Sequence, residues 1–216
     1  MAEHIDKALL NSNLRYRFDY LSKFLNFTSE DIHTLNSFAP VLFPHIQSIV
    51  ETVYKKLYSF DITKQYFILR NQDFESFACS HDKDTHAMSA QTEFRKDMLS
   101  VYLKSILIQT EWNDTFLQFL SSVGELHGNK RNFRSINVDY IHINMLLGYL
   151  EHSIIDTILN QDEIDVKKRR AAIKAINKFF WIQNNFFTMH YGKSSIEPAV
   201  ANGTHSEKTS KCFFFE

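Results

Sequence analysis

Ala171-Ala172-Ile173-Lys174-Ala175-Ile176-Asn177-Lys178-Phe179-Phe180-Trp181-Ile182-Gln183-Asn184-Asn185-Phe186-Phe187-Thr188-Met189-His190-Tyr191 is the stretch whose reading decides the fold. Its apolar side chains return at three- and four-residue steps, the period of an α-helix. One stripe holds Ile173, Ile176, Phe180, Phe187 and Tyr191, and a second holds Ala172, Ala175, Phe179, Ile182, Phe186 and Met189. A band that wide predicts a helix buried on more than one side, against a core and a partner subunit together. The helix is expected over about 163–191, with Gly192 as its C-terminal stop.

Upstream, Tyr140, Ile143, Leu147, Leu150, Ile154 and Ile158 repeat the same period. They predict a helix opened by Ser135 or Asn137 and running to about Leu159, roughly 34 Å at 1.5 Å per residue. Shorter helices are expected at Leu14–Leu25, from Thr28 to about Phe38, at about Phe43–Leu57, at Thr63–Leu69, at Ser89–Thr110 and at Trp112–Leu126. Thr28 with Asp31 three residues on has the spacing of a capping box, and Thr110 or Asn113 is placed to cap the helix beginning near Trp112. Pro40 and Pro44 are expected to interrupt the helical run, because proline removes a donor and clashes with the preceding turn. The polar residues 71–89 are expected to form a long connection, and Gly128-Asn129-Lys130 a helix end and loop.

Composition points the same way. The chain has 216 residues, 44% of them hydrophobic, with 20 Phe against 5 Gly and 3 Pro. Many large apolar side chains with few breakers favour long helices over short strands and tight turns. The length suits one core and leaves no room for a second full domain. The expected organisation is an N-terminal extension at 1–13, one helical domain at 14–192 and a disordered tail at 193–216, where Ser, Glu, Lys and Thr follow no period.

Several function classes drop out. A net charge of −1 is not the footprint of a nucleic-acid binder. The basic run Lys167-Lys168-Arg169-Arg170 reads as a solvated helix face. Cys79 and Cys212 lie far apart with no CxxC spacing, so neither a disulfide framework nor a zinc site is expected, and a reducing, cytoplasmic setting is. Met1–Leu10 lacks an apolar signal core, and no run of about 18 apolar residues predicts a membrane span.

Ten histidines are the natural place to look for chemistry. His127 shares a stripe with Phe116, Leu120 and Val123 at steps of 4, 3 and 4. His152 shares a comparable stripe with Ile141, Met145, Gly148 and Ile155. Periodicity does not rank the two, and a buried histidine bonded to a carbonyl accounts for either as well as an iron ligand does. Glu30 and His33 have the spacing of a di-iron motif, but a bundle needs two such pairs, and these read as a surface cap. Cys79 beside His81 and His86 reads as a surface thiol. There is no His-Glu-x-x-His helix and no Gly-rich phosphate loop.

Taken in order, six segments carry a resemblance. They are Phe27-Thr28-Ser29-Glu30-Asp31, Phe94-Arg95-Lys96-Asp97-Met98-Leu99, Glu111-Trp112-Asn113-Asp114, Val123-Gly124-Glu125-Leu126-His127, Asp139-Tyr140-Ile141-His142-Ile143-Asn144 and Trp181-Ile182-Gln183. Over about residues 14–191 the chain resembles the protoglobins and the sensor domains of globin-coupled sensors, especially their single-domain eukaryotic members. The resemblance implies an all-α, globin-like three-over-three helical sandwich with an extra N-terminal helix. It implies a haem b (iron protoporphyrin IX) held by the histidine of the Val-Gly-x-x-His segment, which ranks His127 above His152. It places Val123 at the cofactor and Tyr54, in Val53-Tyr54-Lys55, above the iron as a hydrogen-bond donor to O2. Val53 stands where archaeal members carry tryptophan, and Leu103 stands at a distal position where they carry phenylalanine. Lys130, with Arg131 and Arg134, is placed to pair with the haem carboxylates.

The function this implies is reversible binding of a diatomic gas (O2, CO or NO) as sensor or carrier. The alternatives are a haem enzyme of peroxidase-like or NO-dioxygenating activity and a haem-free helical interaction module. Family members dimerise through their last two long helices, so a homodimer is expected. Sensor members carry an output domain after the globin; here about 25 residues follow the last helix, so any signalling is expected to run through a separate partner.

Overall fold

The computed structural model describes residues 2–67, 84–128 and 137–193. All regular structure among the described residues is helical: α1 (Lys7–Ser12), α2 (Leu14–Leu25), α3 (Ser29–Tyr58), α4 (61–67), α5 (Asp84–Ile108), α6 (Asp114–Gly128), α7 (Tyr140–Leu159) and α8 (Val166–Lys193). The expected all-α class holds.

α8 is the central element. It packs against α2, α3, α6 and α7, and Ala172, Ala175, Ile176, Phe179, Phe180, Ile182, Phe186 and Phe187 are all buried. The double stripe is therefore consumed inside one chain, and no partner is needed to cover it. Each such aromatic side chain contributes roughly 1.5–3 kcal/mol on burial. α5 lies along α3, and α6 lies on α8, but α5 and α6 are not a closely packed pair.

The prolines behave differently from the expectation. α3 runs unbroken through Pro40 and Pro44. Both are exposed, and they stand four residues apart on one face. The carbonyls they leave without a donor are thus on the solvent side, where water can serve them. The opposite face, with Leu35, Phe38, Ala39, Leu42, Ile46, Ile49, Val50 and Val53, is buried without interruption and holds the helix together.

Helix ends also moved. The Asp31 carboxylate accepts from the Thr28 backbone N–H at 2.8 Å, as the capping-box spacing predicts. Asn113 caps α6 by accepting from Phe116 N–H at 3.0 Å. α5 begins at Asp84 instead of near Ser89, α7 begins at Tyr140 after Asp139 instead of at Asn137, and α8 begins at Val166, where Asp165 accepts from Lys167 N–H at 2.9 Å. Gly192 does not stop α8, which continues to Lys193. Lys7–Ser12, inside the expected extension, forms a short helix capped by Asp6. Residues 68–83 and 194–216 lie outside the described residues, and so do the expectations placed on them.

Long-range ties fix the frame. Asn36 Nδ2 donates to the Leu107 and Gln109 carbonyls at 2.9 and 3.0 Å, closing the end of α5 against α3. Lys178 Nζ lies 2.9 Å from the Asp31 carboxylate and donates at 2.7 Å to the Asn26 carbonyl, joining α8 to the start of α3. Trp112 packs with Phe18, Phe27, Phe116 and Phe179, so α2, α6 and α8 share one aromatic cluster.

Candidate functional site

α6 positions His127 in its last turn. Its Nδ1 lies 2.7 Å from the Val123 carbonyl, one turn back. A carbonyl only accepts, so Nδ1 carries the hydrogen and Nε2 keeps its lone pair. Among the described residues Nε2 meets no hydrogen-bond partner. The ring is flanked edge-on by Phe187 of α8, 5.6 Å between centroids. Burial pushes the His127 pKa below its ordinary value and the positive charge of Arg95 adds to this, while the bond to the Val123 carbonyl opposes it. The imidazole is therefore held neutral, in one tautomer and in one orientation.

Its backbone is clamped as well. The His127 carbonyl accepts from Val138 N–H at 3.1 Å. The Tyr191 hydroxyl donates to the Val138 carbonyl at 2.6 Å, with the His127 carbonyl a longer second acceptor at 3.3 Å.

Facing this wall is a polar and aromatic group from three other helices. Tyr54 of α3 is buried, and its ring lies 5.8 Å from Phe67 of α4. Tyr58 stacks on the same Phe67 at 5.0 Å, and its hydroxyl meets Thr92 Oγ1 at 2.5 Å. The Arg95 guanidinium of α5 sits 4.9 Å over the Phe67 ring. Burial raises the Tyr54 pKa well above the usual phenol value, with Arg95 opposing. The Tyr54 hydroxyl thus stays protonated, and among the described residues it has no hydrogen-bond partner. Tyr54 is only 7% exposed, so its ring does not face solvent.

The two walls are carried by α6 on one side and by α3, α4 and α5 on the other. Arg95, Leu99 and Tyr102 stand at i, i+4 and i+7 on α5, and Phe119, Val123 and His127 at i, i+4 and i+8 on α6. The faces meet where Tyr102 and Phe119 approach at 6.1 Å, close to the turn between the helices. Toward the other end Arg95 acts on His127. The Tyr102 hydroxyl is buried with no partner, and burial raises its pKa. An orphaned hydroxyl of this kind costs about 1–3 kcal/mol.

The remaining candidates separate clearly. His152 is exposed on the outer face of α7. Val123 is half-buried, and its carbonyl orients His127. Leu103 is buried and lines a small apolar pocket with Leu42, Ile46, Ile49, Ile106 and Phe180. Lys130, Arg131 and Arg134 lie outside the described residues, as do Cys79 and Cys212. Sequence reasoning passed over Arg95 and Tyr102, whose shared helical face was the available signal. It also passed over His142, buried against the Tyr66 ring at 5.7 Å. Among the described residues no three or more His, Cys, Asp or Glu side chains gather as a metal site, and no helix is long and apolar enough to cross a membrane.

The protoglobin family profile matches residues 14–197 of the chain. The chain belongs to the protoglobin family. Its structure is similar to the globin domain of the Geobacter sulfurreducens globin-coupled sensor, with a TM-score of 0.59 at 14% identity, covering 80% of this chain and 96% of that one. That likeness shows the globin fold. No curated protein sequence matches the chain. In this protoglobin the Val-Gly-x-x-His segment has a physical reading. Val123 supplies the acceptor for Nδ1. A Cβ on Gly124 would stand 3.0 Å from His190 Cδ2, 3.2 Å from Phe187 Cα and 3.3 Å from the Phe186 carbonyl oxygen, so glycine permits the close approach of α6 to α8.

Proposed function

We propose that this protoglobin binds haem b in the α5/α6 cleft through His127 and takes up a diatomic gas on the Tyr54 side. The observation that carries the reading is the Nδ1–Val123 bond, which presents Nε2 as a neutral, oriented nitrogen donor. No group of three or more His, Cys, Asp or Glu side chains that could hold a bare metal ion occurs among the described residues. That suits a metal that arrives with its other ligands already in place, as haem iron does. The donor set and the apolar cleft faces fit this group.

When bound, haem supplies an iron centre able to take O2, CO or NO. The rest is the work of this chain. His127 holds the cofactor and, with its pKa lowered, remains unprotonated at neutral pH. Tyr54 keeps its proton and is positioned on α3 to donate a hydrogen bond to a polar diatomic ligand. Val53, next to Tyr54 in the chain, is fully buried, and Leu103 is buried in the apolar core. Lys130, which follows α6 in the sequence, is a further cation for the haem carboxylates by family resemblance. A homodimer through α7 and α8 is supported by an outward apolar face at Ile141, Met145 and Trp181, each more than half exposed.

The test is the visible spectrum of the full chain with one equivalent of haem, oxidised, reduced and with CO. Five-coordinate ferrous bands that shift with CO are expected, with loss of haem in His127→Ala and retention in His152→Ala. Normal haem content in His127→Ala would sink the assignment. Peroxide or NO turnover well above that of haem alone would favour the enzyme, and refusal of haem the interaction module.

A further inference from the structure

α5 has two apolar faces, and only one of them is covered. Leu103, Ile106 and Leu107 are buried and line a small apolar pocket with Leu42, Ile46 and Ile49 of α3. On the outer side, Phe94, Met98, Val101 and Ile108 stand at i, i+4, i+7 and i+14, a single row about 21 Å long at 1.5 Å per residue. Each is more than half exposed. Phe119 of α6, also exposed, extends the apolar surface beside Tyr102, which it meets at 6.1 Å. Apolar side chains scattered singly over a surface need no explanation, but an aligned row of four marks a face that something covers.

The row has a charged margin. Asp97 and Lys104 are exposed on the same side of it, seven residues apart, or about 10.5 Å along the helix. Glu93 is already paired with Lys96 at 2.8 Å. Among the described residues neither Asp97 nor Lys104 has an ion-pair or hydrogen-bond partner.

One segment of the chain has the matching order. Lys211-Cys212-Phe213-Phe214-Phe215-Glu216 sets three phenylalanines between a cation and an anion. Laid in the direction of α5, it brings Lys211 to Asp97, the phenylalanines over Met98 and Val101, and Glu216 to Lys104. The reverse direction would set Lys211 against Lys104 and Glu216 against Asp97. The reach suffices. Tyr191, near the end of α8, has its hydroxyl 3.3 Å from the His127 carbonyl. From His127 to Phe119 is eight residues, about 12 Å along α6, and Phe119 adjoins Tyr102. Twenty residues lead from Lys193 to Phe213, a chain that can span up to about 66 Å.

We propose that residues 211–216 dock on the outer row of α5, parallel to the helix, with the three phenylalanines on its apolar side chains. The segment is tethered to the surface it covers, so its effective concentration is on the order of millimolar and modest contacts suffice. Docking there holds α5 from the side opposite to α3. The proposal does not depend on the haem reading.

The test uses the full chain with Cys79→Ser, which leaves Cys212 as the only thiol. Cys212 is labelled with a polarity-sensitive fluorophore, and circular dichroism checks the fold of every variant. Blue-shifted emission, shielded from iodide and unchanged on dilution, is expected. Val101→Glu should weaken docking roughly 10-fold and expose the label. Asp97→Lys and Lys211→Glu should each weaken it roughly 2- to 5-fold, and together should restore it. Equal shielding in Val101→Glu would overturn the proposal. An accessible label in the chain with the row intact would also overturn it and leave the row to a separate partner protein. Shielding that disappears on dilution would overturn it in favour of a second copy of the chain. Charge reversals that add instead of cancelling would overturn the parallel alignment.

Discussion

Replacing Gly124 by alanine sets two effects of similar size against each other. In a helix interior alanine is favoured over glycine by about 0.8–1.0 kcal/mol. At Gly124 the added methyl would meet three atoms of α8 at 3.0–3.3 Å, and two of them belong to the backbone. Ordinary carbon contacts lie at about 3.5–4.0 Å. α6 must therefore withdraw by several tenths of an ångström, or α8 must bend, and overpacking of this kind costs about 1–3 kcal/mol. The net expectation is a loss of about 0–2 kcal/mol. Gly148 is the internal control: it is also mid-helix, and an added Cβ meets nothing within 4 Å. Gly148→Ala should gain the full propensity term, so the two variants should differ by about 1–3 kcal/mol. Urea unfolding of the apoprotein, followed by circular dichroism at a concentration where the chain is monomeric, measures this directly. Haem affinity should fall in Gly124→Ala alone, because the same turn carries the carbonyl that orients His127. Equal stabilisation by both substitutions would refute the close approach of α6 and α8.

His127 makes stability depend on pH. Its folded pKa is lowered, so the unfolded chain takes up the proton first as pH falls below about 6.5. Its contribution is fully present above that value and declines below it until the folded pKa is passed. The apoprotein should lose stability as pH falls below about 6.5 relative to His127→Gln, read from urea midpoints, and parallel pH profiles would contradict this. The outer face of α7 makes a second claim. Ile141→Glu, at a residue 63% exposed, should leave the fold intact and abolish association measured by light scattering. An unchanged oligomeric mass in a wild type that dimerises would place the interface elsewhere.

Helical class and the central helix were legible because the apolar period of 171–191 survives intact in α8. The continuity of α3 was not. A local rule assigns Pro40 and Pro44 a break, and only the position of both on the solvent side, set by what α3 packs against, shows why the helix tolerates them. The masses on the two faces of α7 did carry information that periodicity alone missed. Ile143, Leu147, Leu150, Ile154 and Ile158 form the bulkier stripe, and all five are buried. The competing stripe contains Gly148 and leaves Ile141, Met145 and His152 outside. Comparing stripe volumes, rather than noting that each stripe exists, separates His152 from the core.

The site demanded more than helix faces. His127 becomes distinctive through two contacts that lie within one turn of sequence, the carbonyl of Val123 and the bare backbone at Gly124. That is why a five-residue segment could carry the family resemblance: it encodes a tautomer and a helix–helix distance together. Arg95 has no such local signature. An arginine two turns before a tyrosine looks like any solvated helix edge until its guanidinium is seen over the Phe67 ring. The frame around the site is set by α5 lying on α3 and α6 lying on α8. The donor that would hold the cofactor was therefore readable locally, while the aromatic and cationic surroundings of Phe67 emerge only from the tertiary arrangement.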